Sequence, residues 1–166
     1  MTDTTTKIVS GGLAAAATVA LVMAVTALKS DEGKRTLDYL DIARVPTACY
    51  GHTGAGVAAG THRTDAECEV LLSTDAQAHM AGVLGCTPSL VGRPYQLAAA
   101  TRIAFNIGVS AYCRSTIARR FNAGDRRGAC EAFSAWNKAH WNGRIVAVRG
   151  LTDRRARERA MCLTGL

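Results

Sequence analysis

The feature that most constrains this chain is an uncharged stretch from Ile8 to Leu28, IVSGGLAAAATVALVMAVTAL, standing ahead of a body that holds all six cysteines. As a helix rising about 1.5 Å per residue, it is long enough to cross the roughly 30 Å hydrocarbon core of a bilayer. Its content is weak for that purpose, because seven Ala, two Gly, two Thr and one Ser outnumber the strongly apolar residues that make insertion favourable. Three fates stay open: a segment that enters the membrane and later leaves it uncleaved, a secretory signal cut after Ala27 behind Val25-Thr26, and a permanent anchor. Flanking charge orients the segment poorly, since only Lys7 and the α-amino group precede it while Lys29, Lys34 and Arg35 follow.

The cysteines orient it better. Cys49, Cys68, Cys86, Cys113, Cys130 and Cys162 all lie beyond the apolar run. An even number behind an export segment reads as disulfides formed in an oxidising compartment, so the body lies across the membrane with the N-terminus inside. Six cysteines allow about 15 pairings; pairing of neighbours, Cys49 with Cys68, Cys86 with Cys113 and Cys130 with Cys162, is the expectation. A metal site built on Cys49-x2-His52 would need a second closely spaced ligand pair, which the sequence lacks. No metal and no cofactor is expected.

Residues 29–166 leave room for one domain with a proper core, so the division expected is 1–28 for the membrane segment and 29–166 for a single folded body. The net charge of +7 is concentrated late, in Arg119-Arg120, Arg126-Arg127 and Arg154-Arg155-Ala156-Arg157-Glu158-Arg159. Such a face suits anionic lipid or a carboxylate-bearing cell wall, or is simply a solvated helix face. Nucleic acid is not expected, because no recognition motif or interleaved aromatic residue accompanies the basic ones.

Along the body, Thr36 to His62 alternates short β-formers with Gly, Pro and Asp and predicts small antiparallel strands. Thr64-Asp65-Ala66-Glu67 is a capping box that opens a helix running toward Met80. From Pro94 onward the apolar spacing is helical, with an Asp125 cap before the Ala129, Phe133 and Trp136 segment and a Thr152 cap before a last helix ending at Leu163. The fold class expected is α+β, with a small β lobe and a larger helical lobe flanking a cleft.

The spacing E-x8-D-x5-T, formed by Glu32, Asp41 and Thr47, carries the chemistry. A carboxylic acid, a second carboxylate and a hydroxyl able to hold a water are what glycosidic-bond hydrolysis requires. Taken one at a time, Glu32 is a polar flank of an apolar segment, Asp41 a turn residue and Thr47 a strand residue. A cysteine peptidase using Cys49 and His52 is a weaker alternative. A non-enzymatic, holin-like or cationic membrane-active protein, using the apolar segment and the Arg-rich C-terminal helix, is another.

Glu32-Gly33, Tyr39, Asp41 and Thr47-Ala48-Cys49-Tyr50-Gly51-His52-Thr53-Gly54 are followed in order by Ala104-Phe105-Asn106-Ile107-Gly108, Cys113-Arg114-Ser115-Thr116, Asn122-Ala123-Gly124-Asp125 and Gly150-Leu151 with Arg154-Arg155 and Glu158-Arg159. On these blocks the chain resembles the bacteriophage-type lysozymes (muramidases), and more narrowly their signal-arrest-release endolysins. The resemblance implies a lysozyme-like monomer that cleaves the β-1,4 bond between N-acetylmuramic acid and N-acetylglucosamine of host peptidoglycan and so causes lysis. It implies Glu32 as general acid, with Asp41 and Thr47 stabilising charge and positioning water, and inversion at the anomeric carbon. It further implies supporting or substrate-binding roles for Tyr39, Phe105 and Asn106, a structural role for His52 within its lobe, and Arg155 as the arginine that meets Glu32, with Arg154 its rival. The implied location is the host inner membrane, then the periplasm after residues 8–28 leave the lipid. Two residues depart from the family pattern: Arg44 stands where a hairpin Gly is usual and Pro46 precedes Thr47. A turn that wants positive φ is strained by Arg.

Overall fold

The apolar run folds as the greater part of one long helix. The computed structural model describes residues 2–41 and 43–166, with side chains described from residue 12 onward; Lys7 and the first residues of the run, 8–11, lie outside the described side chains. Helix α1, Thr2–Glu32, passes without a break through the expected boundary at residue 28. From Ala20 onward it buries one stripe at four-residue spacing, with Ala20, Ala24 and Leu28 fully buried. That spacing is the helical repeat, so the three residues share one face. The face packs on helices α2, Asp65–Cys86, and α3, Pro94–Ile107. Small side chains on both sides permit the close approach: Ala98, Ala99, Ala100 and Ala104 of α3 are buried as well.

Gly33, with φ of 67°, ends α1 and turns the chain into a three-stranded antiparallel sheet, β1 (Arg35–Leu40), β2 (Pro46–Cys49) and β3 (His52–Thr53). In its register Tyr39 faces Thr47 across β1 and β2. The Thr64 box then starts α2, its hydroxyl accepting from Glu67 N while the Glu67 carboxylate accepts from Thr64 N. That reciprocal pair satisfies two donors a helix start leaves open.

Helices α4 (Val109–Cys113), α5 (Thr116–Asn122), α6 (Arg126–Glu131) and α7 (Arg149–Leu163) complete the helical lobe around Tyr112, Ile117, Phe121 and Phe133. Asp125 caps α6 as expected, its carboxylate accepting from Gly128 N. The expected Thr152 cap is not formed. Helix α7 begins at Arg149, which leaves Thr152 one turn inside, where its hydroxyl donates back to the Val148 carbonyl. An element not anticipated from the sequence lies between the last two helices: the hairpin β4 (Lys138–Trp141) and β5 (Arg144–Ala147). Its turn is Asn142-Gly143, both at positive φ (46° and 75°), the pattern that a tight two-residue hairpin turn demands. Both faces of the ribbon meet solvent, with Trp141 70% exposed.

Three disulfides, Cys49–Cys68, Cys86–Cys113 and Cys130–Cys162, tie β2 to α2, α2 to α4, and α6 to α7. They close the neighbour pairs.

Candidate active site

Glu32 is the last residue of α1, so the packing of α1 decides where its carboxylate stands. It lies partly exposed at a recess of about 240 Å³ lined by Glu32, Gly33, Lys34, Arg35, Tyr39, Cys49, Tyr50 and Gly51. Arg154 Nη2, from α7 of the helical lobe, donates to Glu32 Oε1 at 2.5 Å. Arg155, expected in that role, does not meet Glu32. It is buried, donates to Asn106 Oδ1 at 3.1 Å and pairs with Glu158 Oε1 at 2.7 Å. Successive helical residues point about 100° apart. Once α7 packs with Arg155 inward, Arg154 is the one that faces the end of α1.

Buried charge surrounds this contact. Arg154 Nε stands 3.4 Å from Glu158 Oε1 and 3.8 Å from Asp31 Oδ2. Burial pushes the Glu158 carboxyl above its ordinary range, against the opposing pull of Arg155, Arg102 and Arg154. Burial likewise lowers the proton affinity of the Arg155 guanidinium.

Asp41 sits where β1 leaves the sheet and is anchored by its own turn. Its Oδ1 accepts from the amides of Ala43 and Val45, both at 2.8 Å, and its carbonyl accepts from Arg44 N at 2.9 Å. Arg44 takes the positive φ that its position demands, at 61°. A left-handed non-glycine residue costs about 1–2 kcal/mol, and the two amide bonds to Asp41 offset it. Thr47 is buried on β2 and its hydroxyl donates to the Val45 carbonyl at 3.0 Å, which leaves the oxygen free to accept. Asp41 and Thr47 both bond to Val45, Asp41 to its amide and Thr47 to its carbonyl, and neither is among the residues that line the recess with Glu32. Ile42, within the same turn, lies outside the described residues.

The other expected residues divide. Tyr39 lines the recess with Glu32, its ring under the Arg35 guanidinium at 4.3 Å. His52 turns away from the recess and bonds through Nδ1 to the Asp75 carboxylate of α2, at 2.9 Å. Phe105 is half-buried, its ring 4.9 Å from that of His79. Asn106 is exposed and is held by Arg155. Cys49 is in a disulfide, so neither a thiol–imidazole pair with His52 nor a Cys49 metal site can form. Among the described residues no three His, Cys, Asp or Glu side chains cluster in a metal-binding arrangement. Sequence reasoning missed Asp31, whose adjacency to Glu32 was the one signal that could have found it.

The phage lysozyme family profile matches residues 29–158. This chain belongs to the phage lysozyme family. Membership makes it a glycoside hydrolase of the lysozyme class. A SAR-endolysin of Bacteriophage PS119 is 34% identical over 168 residues, covering 95% of this chain and 90% of that one. Among solved structures, the muramidase domain of SpmX from Asticaccaulis excentricus superposes with a TM-score of 0.79 at 29% identity, covering 85% of this chain and 95% of that one. A point mutant of P22 lysozyme superposes with a TM-score of 0.72 at 32% identity, covering 85% of this chain and 95% of that one. This phage lysozyme therefore has the lysozyme-like arrangement that its sequence blocks imply, with a helical majority, a small sheet and an apolar N-terminal helix.

Proposed function

We propose that this lysozyme hydrolyses the β-1,4 bond between N-acetylmuramic acid and N-acetylglucosamine of host peptidoglycan, with Glu32 as general acid and Asp41 and Thr47 as the water-positioning pair. The observation that carries the reading is the placement of Glu32, partly exposed, at a recess it shares with Tyr39. Glu32 must carry a proton when it meets the leaving glycosidic oxygen, so its charge-paired contact with Arg154 has to open before the transfer. Asp41, held by two amides, keeps one orientation as positive charge develops at the anomeric carbon. Thr47, with its own proton committed to Val45, accepts a hydrogen bond from the attacking water. The stereochemical outcome expected is inversion, in which the second carboxylate activates water from the opposite face of the sugar.

The apolar helix supplies the control. In this reading residues 1–28 first hold the chain in the host inner membrane, with the body in the periplasm, and activity begins when α1 leaves the lipid and docks on α2 and α3. Ala-rich composition serves both states: it gives a weak hold on hydrocarbon and small side chains for close packing on α3. The burial of Ala20, Ala24 and Leu28 inside the body supports a segment that leaves the lipid over one that stays in it.

The test is mass spectrometry of the fragments that the full-length chain releases from purified peptidoglycan. The reading expects fragments with muramic acid at the reducing end. Fragments ending in glucosamine, or cuts only within the peptide stems, would overturn it.

A further inference from the structure

Asp31 precedes Glu32, and the proposed reaction makes no use of it. Its carboxylate has no exposed surface, and three arginines from two helices converge on it. Arg102 Nη2 of α3 donates at 2.6 Å, Arg157 Nη2 of α7 donates at 2.9 Å, and Arg154 Nε stands at 3.8 Å. A carboxylate withdrawn from water is costly unless charged donors replace its hydration. Here they come from 71 and 126 residues along the chain, so the cluster exists only when α1, α3 and α7 are assembled.

The last turn of a helix is its least constrained part, since its carbonyls lack partners within the helix. Glu32 occupies that turn, with the free rotation of Gly33 immediately after it. Arg154 meanwhile faces three carboxylates: its Nη2 reaches Glu32, while its Nε lies between Asp31 and Glu158. We propose that Asp31 is a positioning residue for Glu32, tying the last turn of α1 to α3 and α7 and holding the Arg154 guanidinium in the pose that reaches the Glu32 carboxylate. The inference rests on the assignment of Glu32 as the acid. It joins helix docking to catalysis, because the side chain that fastens α1 is the neighbour of the one that reacts.

The test uses the full chain acting on solubilised peptidoglycan strands. Asp31→Asn keeps the size of the side chain and removes the charge that gathers the arginines. Loss of alignment of a reacting group costs up to roughly a hundred-fold in rate, so kcat should fall roughly ten- to a hundred-fold. KM should stay within about twofold of wild type, because the glycan-binding surface is unchanged. Asp38→Asn is the matched control: it cuts another buried carboxylate, Asp38, from its arginine, Arg63, neither of which lines the recess. That variant should unfold at a lower temperature while its kcat stays within about twofold of wild type. Wild-type kcat in a folded Asp31→Asn, or an equal kcat loss in Asp38→Asn, overturns the positioning role. Should Asp31→Asn fail to fold, Arg102→Gln removes the same tie from the α3 side and must show the same split between kcat and KM. Glu32→Gln, measured in parallel, separates the two proposals. Activity in Glu32→Gln removes the acid assignment itself; an inactive Glu32→Gln beside a fully active Asp31→Asn removes only the positioning role.

Discussion

Helix α1 has two halves in different surroundings. Between Gly12 and Val19 no side chain is fully buried, and Leu13 and Val19 keep 41% and 47% of their surface exposed. From Ala20 to Leu28 every fourth residue is inside the body, and the helix ends in the buried carboxylate of Asp31 and the partly exposed one of Glu32. The second half carries more of the large apolar residues, Leu21, Val22, Met23, Val25 and Leu28. It also has a partner surface along its buried stripe, the small-residue face of α3, and a polar anchor at the far end. A helix long and apolar enough to cross a membrane can therefore be a core helix over only part of its length.

The largest effect that could break this comparison comes from shortening one side chain in each half. Leu28→Ala should cost about 2–5 kcal/mol, a fall in unfolding temperature of roughly 4–20 °C for a chain of this size. Leu13→Ala, on the exposed half, should change stability by less than about 0.5 kcal/mol. Thermal unfolding of the full-length chain in lipid-free buffer measures both, and equal losses would mean that the two halves are not differently placed.

Enlarging a side chain sharpens the same contrast. Ala24→Leu overpacks the buried stripe and should cost about 1–3 kcal/mol, whereas Ala15→Leu, on the exposed half, should leave stability unchanged. In the membrane the two should behave alike, each adding roughly 0.8 kcal/mol per buried CH₂ and lengthening the time spent in the inner-membrane fraction. Different membrane retention by the two variants would contradict the view that the whole run enters lipid.

A smaller effect concerns acid stability, for which the β lobe gives a reference outside α1. The Arg63 hydrogen bonds hold the Asp38 carboxyl below its usual range. A lowered folded value means stability that is present above the ordinary carboxylate range near pH 4 and is lost as pH falls through the folded value. Asp38→Asn should therefore flatten the decline of unfolding temperature with falling pH below about pH 4. An unaltered acid limb would show that the pair carries no linkage to folding.

Much of this was legible in the sequence, for local reasons. The Thr64 box and the Asp125 cap are set by residues three apart, and the export segment with six cysteines behind it implied disulfides. The order Glu32, Asp41, Thr47 pointed to a chemistry before any geometry was known. What was not legible depends on three-dimensional phase. Arg154 and Arg155 are adjacent, and only the packing of α7 decides which one faces Glu32. The docking of α1 was hidden because bilayer and core select the same side chains. The β4–β5 hairpin is a different case, since its Asn142-Gly143 turn is a strong local signal that stood in the sequence unread.

The central claim is that the docked end of α1 presents the proton donor, and Glu32→Gln tests it most directly. The amide keeps the shape of the side chain and its place opposite Arg154, but it cannot supply the proton. With the unfolding temperature close to wild type, release of fragments from purified peptidoglycan by the full-length chain should fall by roughly 10²–10⁴-fold. A folded Glu32→Gln that keeps more than about a tenth of wild-type activity, far above what loss of a general acid permits, would contradict the account.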